Sequence, residues 1–143
     1  MSESTDSNAT IKLSPPEAFA AIALIAIAAD GLVLPSESQI LNSSLSRMQL
    51  FSDYSPTQKR EMLDRLLTEI KTHGYNTLLK SAIAVLPKEL RETVFAIATD
   101  ITLADGEITK EEEDLLNDLY SSLDLSEEMA TKIIDVMMIK NQG

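Results

Sequence analysis

IALIAIAADGLVLPSESQILNSSLSRMQL, residues 22–50, returns 75 positions later as IATDITLADGEITKEEEDLLNDLYSSLDL, residues 97–125. Ile22 falls on Ile97, Ala23 on Ala98, Ala29-Asp30-Gly31 on Ala104-Asp105-Gly106, Glu37 on Glu112, Asn42 on Asn117, Ser46 on Ser121 and Leu50 on Leu125. Chance would match about two positions over such a stretch, at about one match in fifteen for average composition. Apolar pairs fill in between: Val33 with Ile108, Ile40 with Leu115, Leu41 with Leu116 and Met48 with Leu123. Each copy reads as helix, Asp-Gly corner, helix, with one apolar face that it cannot bury alone. The simplest solution packs two hairpins face to face about a pseudo-twofold axis, with the Ala-rich first helix and the fifth helix in the centre.

The backbone logic of the corner, Ala-Asp-Gly-x-Val/Ile-x-x-x-Glu, follows from its residue types. Gly31 and Gly106 supply the left-handed residue that ends a helix, Val33 and Ile108 plug the turn into the core, and Glu37 and Glu112 open the next helix at its third position. Asp30 and Asp105 are different, because an acid at a helix C-terminus faces the negative end of the helix dipole and needs compensation. Two compensations are open: an Asx turn onto the loop amides, or a cation shared with the Glu seven residues on.

Outward from the repeat, helix signals succeed one another with almost no strand-like alternation. Ser14-Pro15-Pro16-Glu17 is a capping box for a helix to about Ala29, and a second helix follows Pro35 with a stripe of Ile40, Leu41, Leu45 and Met48. Ser55-Pro56-Thr57-Gln58 starts a third, with Met62, Leu63, Leu66, Leu67 and Ile70 at 3.6-residue spacing, ending at His73-Gly74. A fourth covers Thr77 to Leu86, and Pro87 starts a fifth with Leu90, Val94, Phe95, Ile97, Ala98 and Ile101. Thr109-Lys110-Glu111-Glu112 caps a sixth, and Ser126 a seventh with the stripe Met129, Ile133, Ile134, Met137 and Met138. The expected fold is all-α: about seven helices, internally duplicated, in a single domain over 14–143. Residues 1–13, rich in Ser, Thr and Asn and without an apolar run, read as a disordered tail and as neither a secretion signal nor a transit peptide.

Composition narrows the chemistry. The chain has 143 residues, 44% hydrophobic, enough for one core, and its 23 acidic and 12 basic side chains give a net charge of -11. That charge repels phosphate backbones, so nucleic acid is excluded as a partner class. The apolar run Ala18–Ala29 is too short for a membrane span of about 20 residues, so a buried helix in a cytoplasmic protein is expected, with no direct membrane insertion. With no Cys, thiolate nucleophiles, disulfides and Fe–S ligation drop out together, and one His leaves little imidazole chemistry. His73 itself sits where a helix C-terminus favours a cation. The excess charge is local: residues 100–128 hold 11 acids and only Lys110, whereas residues 1–99 hold 11 acids against 9 bases. Such a run is either a solvated helix face or a surface for cations and basic partners.

A metal-binding version of the second corner can be checked against calcium loops. With Asp105 at loop position 5, Gly106, Ile108 and Glu112 fall on positions 6, 8 and 12, but positions 1 and 3 are Ile101 and Leu103. A tight loop site of that type is excluded on ligand count. Asp100, five residues before Asp105, completes a candidate cluster of Asp100, Asp105 and Glu112, while its counterpart in the first copy is Ile25, leaving Asp30 and Glu37 as the weaker pair. A metal held by such oxygens would be hard and loosely bound, Mg2+ or Ca2+ with several waters.

The paired corners at Asp30 to Glu37 and Asp105 to Glu112, the second preceded by Asp100, resemble those of the tellurite-resistance TerB-like domain family, over about Pro15 to Ile139. The resemblance implies an all-α fold of about seven helices with internal duplication, and an acidic patch proposed to bind metal. It further implies a cytoplasmic part in tellurite or chemical stress responses through protein partners at the membrane. It supplies no enzyme: direct tellurite reduction needs thiols or a redox cofactor, and neither Cys nor a Gly-rich nucleotide turn is present. A carboxylate-only hydrolase would lack a positive group for a developing anion, Lys110 standing alone in the region. The resulting expectation is a non-catalytic interaction module whose acidic face, Glu111, Glu113 and Asp114, engages a basic partner, with a divalent-cation binder or sensor as the alternative. A second copy of the chain is admitted as a partner.

Overall fold

The computed structural model describes residues 11–28, 35–103 and 109–142. Among them lie seven α-helices: α1 Pro15–Ile27, α2 Pro35–Ser46, α3 Pro56–His73, α4 Tyr75–Val85, α5 Arg91–Leu103, α6 Lys110–Ser122 and α7 Glu127–Lys140. Short 3-10 turns at Gln49–Phe51 and Lys88–Leu90 precede α3 and α5, and no strand occurs among the described residues. The fold class is therefore all-α, as expected.

Sequence starts α1 sharply. The Ser14 hydroxyl accepts from the Glu17 amide at 3.4 Å and the Glu17 carboxylate accepts from the Ser14 amide at 2.8 Å, a reciprocal cap with Pro at the first helical positions. From Ala18 to Ile27 every residue is buried, so beyond its first turn α1 has no solvent face. A helix apolar all round has to be surrounded, and α1 packs against α3, α4 and α5 and touches α2 and α6. Its alanines allow the neighbours to approach closely. Phe19 meets Phe51 edge-on, ring centres 6.3 Å apart, and Phe51 meets Tyr54 at 5.6 Å, which fastens the turn before α3 to the core.

The remaining helices bury one stripe each. On α3, Met62, Leu63 and Leu66 are buried, and Leu67 and Ile70 half-buried; on α6, Leu115, Leu116 and Leu119. Two stripe positions differ from expectation: Ile40 on α2 and Met138 on α7 are exposed, because the buried edges run through Leu41 and Leu45, and through Ala130, Ile133 and Ile134. The fourth helix opens at Tyr75, two residues before the expected Thr77, since Gly74 at φ 82° both ends α3 and turns the chain into α4. Pro87 leads into the 3-10 turn, and α5 proper begins only at Arg91. Ile11 and Leu13, at the end of the segment read as a tail, pack on the core, and the Ile11 amide donates to Ser81 Oγ at 3.0 Å.

Both Asp-Gly corners fall outside the described residues: 29–34, with Asp30, Gly31 and Val33, and 104–108, with Asp105, Gly106 and Ile108. The side chain of Glu37 lies outside them as well.

Candidate functional site

The start of α6 concentrates the acidic residues, and local chemistry explains why they are tolerated there. Thr109 is the N-cap, its hydroxyl accepting from the Glu112 amide at 3.1 Å, while Glu112 Oε1 accepts from the Thr109 amide at 2.9 Å. Glu111, Glu112 and Glu113 occupy the first turn, where the unpaired amides and the positive end of the helix dipole favour carboxylates. Side-chain direction then divides them. Glu112 is only 7% exposed and serves as half of the cap, whereas Glu111, Glu113 and Asp114 face solvent. Lys110 lies 3.9 Å from Asp114 one turn on, a pair largely in water that neutralises little.

Asp100 takes a different role from the one its position before the corner suggests. It sits near the C-terminal end of α5, half-buried, where one oxygen accepts from Asn141 Nδ2 at 2.7 Å and from Lys140 Nζ at 3.2 Å. Asn141 also donates to the Met137 carbonyl at 2.9 Å, so the end of α7 is tied to itself and to α5 by one side chain. An acid near a helix C-terminus is thus offset by the exposed Lys140 ammonium.

Of the candidate metal ligands, Asp105, Asp30 and the Glu37 side chain lie outside the described residues. Asp100 and Glu112 each spend one oxygen on protein donors and keep the other. Among the described residues no group of three or more His, Cys, Asp or Glu side chains is arranged to hold a metal ion. A hard cation would suit the carboxylate donors, but at Asp100 it would meet Lys140 already in place. His73 pairs instead with Glu69 one turn earlier, at 3.5 Å.

Two residues beside the acidic face were not singled out by the sequence. Tyr75, at the start of α4, and Asp118, one turn after Asp114, line a hollow of about 200 Å3 together with Glu111, Asp114 and Leu115. Asp118 was legible in principle, because positions 111, 114, 115 and 118 share one helix face. No local signal brings Tyr75 there, since α4 and α6 meet only through the tertiary fold.

No helix among the described residues is long and apolar enough to cross a membrane. Neither curated proteins nor solved structures contain a match to this chain. A family model does: that of tellurite resistance protein TerB matches residues 16–134, from the second residue of α1 to the middle of α7. With most of its length covered by that match and an all-helical fold to go with it, the chain belongs to the TerB family.

Proposed function

We propose that this protein is a non-catalytic interaction module of a tellurite or chemical stress response, and that the exposed face of α6 engages a basic surface of a partner protein in the cytoplasm or on a membrane protein's cytoplasmic loops. The observation that carries the reading is the separation of roles on α6: Glu112 turns inward as a cap, leaving Glu111, Glu113 and Asp114 in solvent with Lys110 as the only base between residues 100 and 128. Carboxylates that only stabilised the helix would not need to be this many. Membership of a family that is generally non-catalytic supports the same reading. Opposite charge across an interface chiefly steers encounter and selects partners, so the interaction should weaken with salt.

The test is capture of partners by the full chain at graded ionic strength, repeated with Glu111→Gln, Glu113→Gln and Asp114→Asn combined. Glu112 is left alone, because its loss would unsettle the start of α6. We expect capture that falls between about 50 and 300 mM salt and is lost in the triple variant. Capture that is indifferent to both would overturn the proposal.

A further inference from the structure

The hollow beside Tyr75 continues past the acidic face. A second one, of about 400 Å3, lies along the same seam between α4 and α6, and the two share Tyr75, Leu115 and Asp118. Tyr75 is a large aromatic left 43% exposed at the start of α4. Leu115, 8% exposed, makes an apolar floor. Glu111 and Asp118 stand two helical turns apart, about 10 Å along the axis. Among the described residues neither is in an ion pair, whereas Asp114 between them has Lys110. The seam thus offers an aromatic wall, an apolar floor and two unpaired carboxylates at a fixed spacing.

We propose that this groove is the docking site for a basic segment of a partner protein, and that it takes two arginine side chains about 10 Å apart, one beside Glu111 against the Tyr75 ring and one at Asp118. The inference rests on the interaction reading above and deepens it, since it selects the Tyr75 side of α6 over Glu113. Charge complementarity names the partner's sign. The aromatic wall names the residue, because a guanidinium is planar, weakly hydrated and stacks on a ring while its fork meets a carboxylate, whereas an ammonium is a hydrated point charge. The spacing corresponds to two turns of a helix, about seven residues at a rise of 1.5 Å each.

The probe is a synthetic helical peptide with arginines seven residues apart, compared with its lysine and its glutamate counterparts, titrated into the 15N-labelled full chain while amide shifts are followed. We expect shifts centred on Tyr75, Glu111, Leu115 and Asp118, with the arginine peptide bound several-fold more tightly than the lysine one and the glutamate peptide not at all. Tyr75→Ala and Asp118→Asn should each weaken binding about three- to ten-fold, Tyr75→Phe should retain it, and Glu127→Gln, which removes the same charge from the start of α7, should leave it unchanged. Shifts spread evenly over the acidic surface, with Tyr75→Ala silent, would overturn the groove while leaving the acidic-face reading standing. Absence of any shift at low salt would overturn both.

Discussion

Glu112 is where spacing in the sequence allowed two roles at once, half of a capping box and a ligand at the end of an Asp-Gly corner. In the structure its first oxygen answers the Thr109 amide and its chain is buried, so its energetic work is to hold the first turn of α6. Thr109→Ala removes the hydroxyl side of that reciprocal cap and should cost about 1 kcal/mol, read as a fall of about 4 °C in thermal midpoint by circular dichroism. Asp100 presents the same lesson with a cation. Because Lys140 and Asn141 already donate to it, 1 mM Mg2+ or Ca2+ added to chelator-stripped protein should leave the midpoint within about 1 °C. A site of about 10 μM affinity would instead add roughly 2.7 kcal/mol and several degrees, and loss of that gain in Asp105→Asn would place a divalent cation at the corner.

Helix boundaries were legible wherever side-chain chemistry satisfies the orphaned amides. Ser14 with Glu17, Ser55 with Gln58 and Thr109 with Glu112 all form the reciprocal caps that their spacing implies. The junction of α3 and α4 was less so, because one residue performs two tasks. Gly74, at φ 82°, accepts the left-handed turn that closes α3 through its amide to the Ile70 carbonyl, and it also precedes the first residue of α4. A Cβ added there would meet no atom within 4 Å, so any cost of Gly74→Ala comes from the backbone alone. That cost should be about 1–3 kcal/mol in urea unfolding, with α3 and α4 otherwise intact, because φ 82° with ψ 154° is backbone that essentially only glycine adopts. A neutral outcome would mean the junction relaxes to a negative φ.

At the scale of the molecule, organisation follows from the absence of a polar face on α1. Its ten consecutive buried residues require company on every side, and α3, α4 and α5 supply most of it. α5 in turn carries α6 and α7, with Thr99 and Thr102 buried at no loss because their hydroxyls donate to the Phe95 and Ala98 carbonyls. Arg91 adds a bond from Nη1 to the Leu123 carbonyl, which joins the start of α5 to the end of α6. The central position expected for the first helix follows directly. The core is thus arranged around α1, and Glu111, Glu113, Asp114 and Asp118 of α6 are left exposed on its rim while Glu112 turns inward.

What the sequence determined by itself was local and periodic: the all-helical class, the caps, the buried stripes and the inward turn of α1. Hydrogen bonds to neighbouring amides and the 3.6-residue period act within a few residues, so they can be read along the chain. Which charges meet across elements was set instead by how the helices pack. Asp100 was paired with Lys140 by the docking of α7 on α5, forty residues away, and Tyr75 was set against the acidic face by the meeting of α4 and α6. Neither follows from spacing, because contacts between helices depend on how whole faces pack, and a long charged or aromatic side chain takes whichever partner that packing brings within reach.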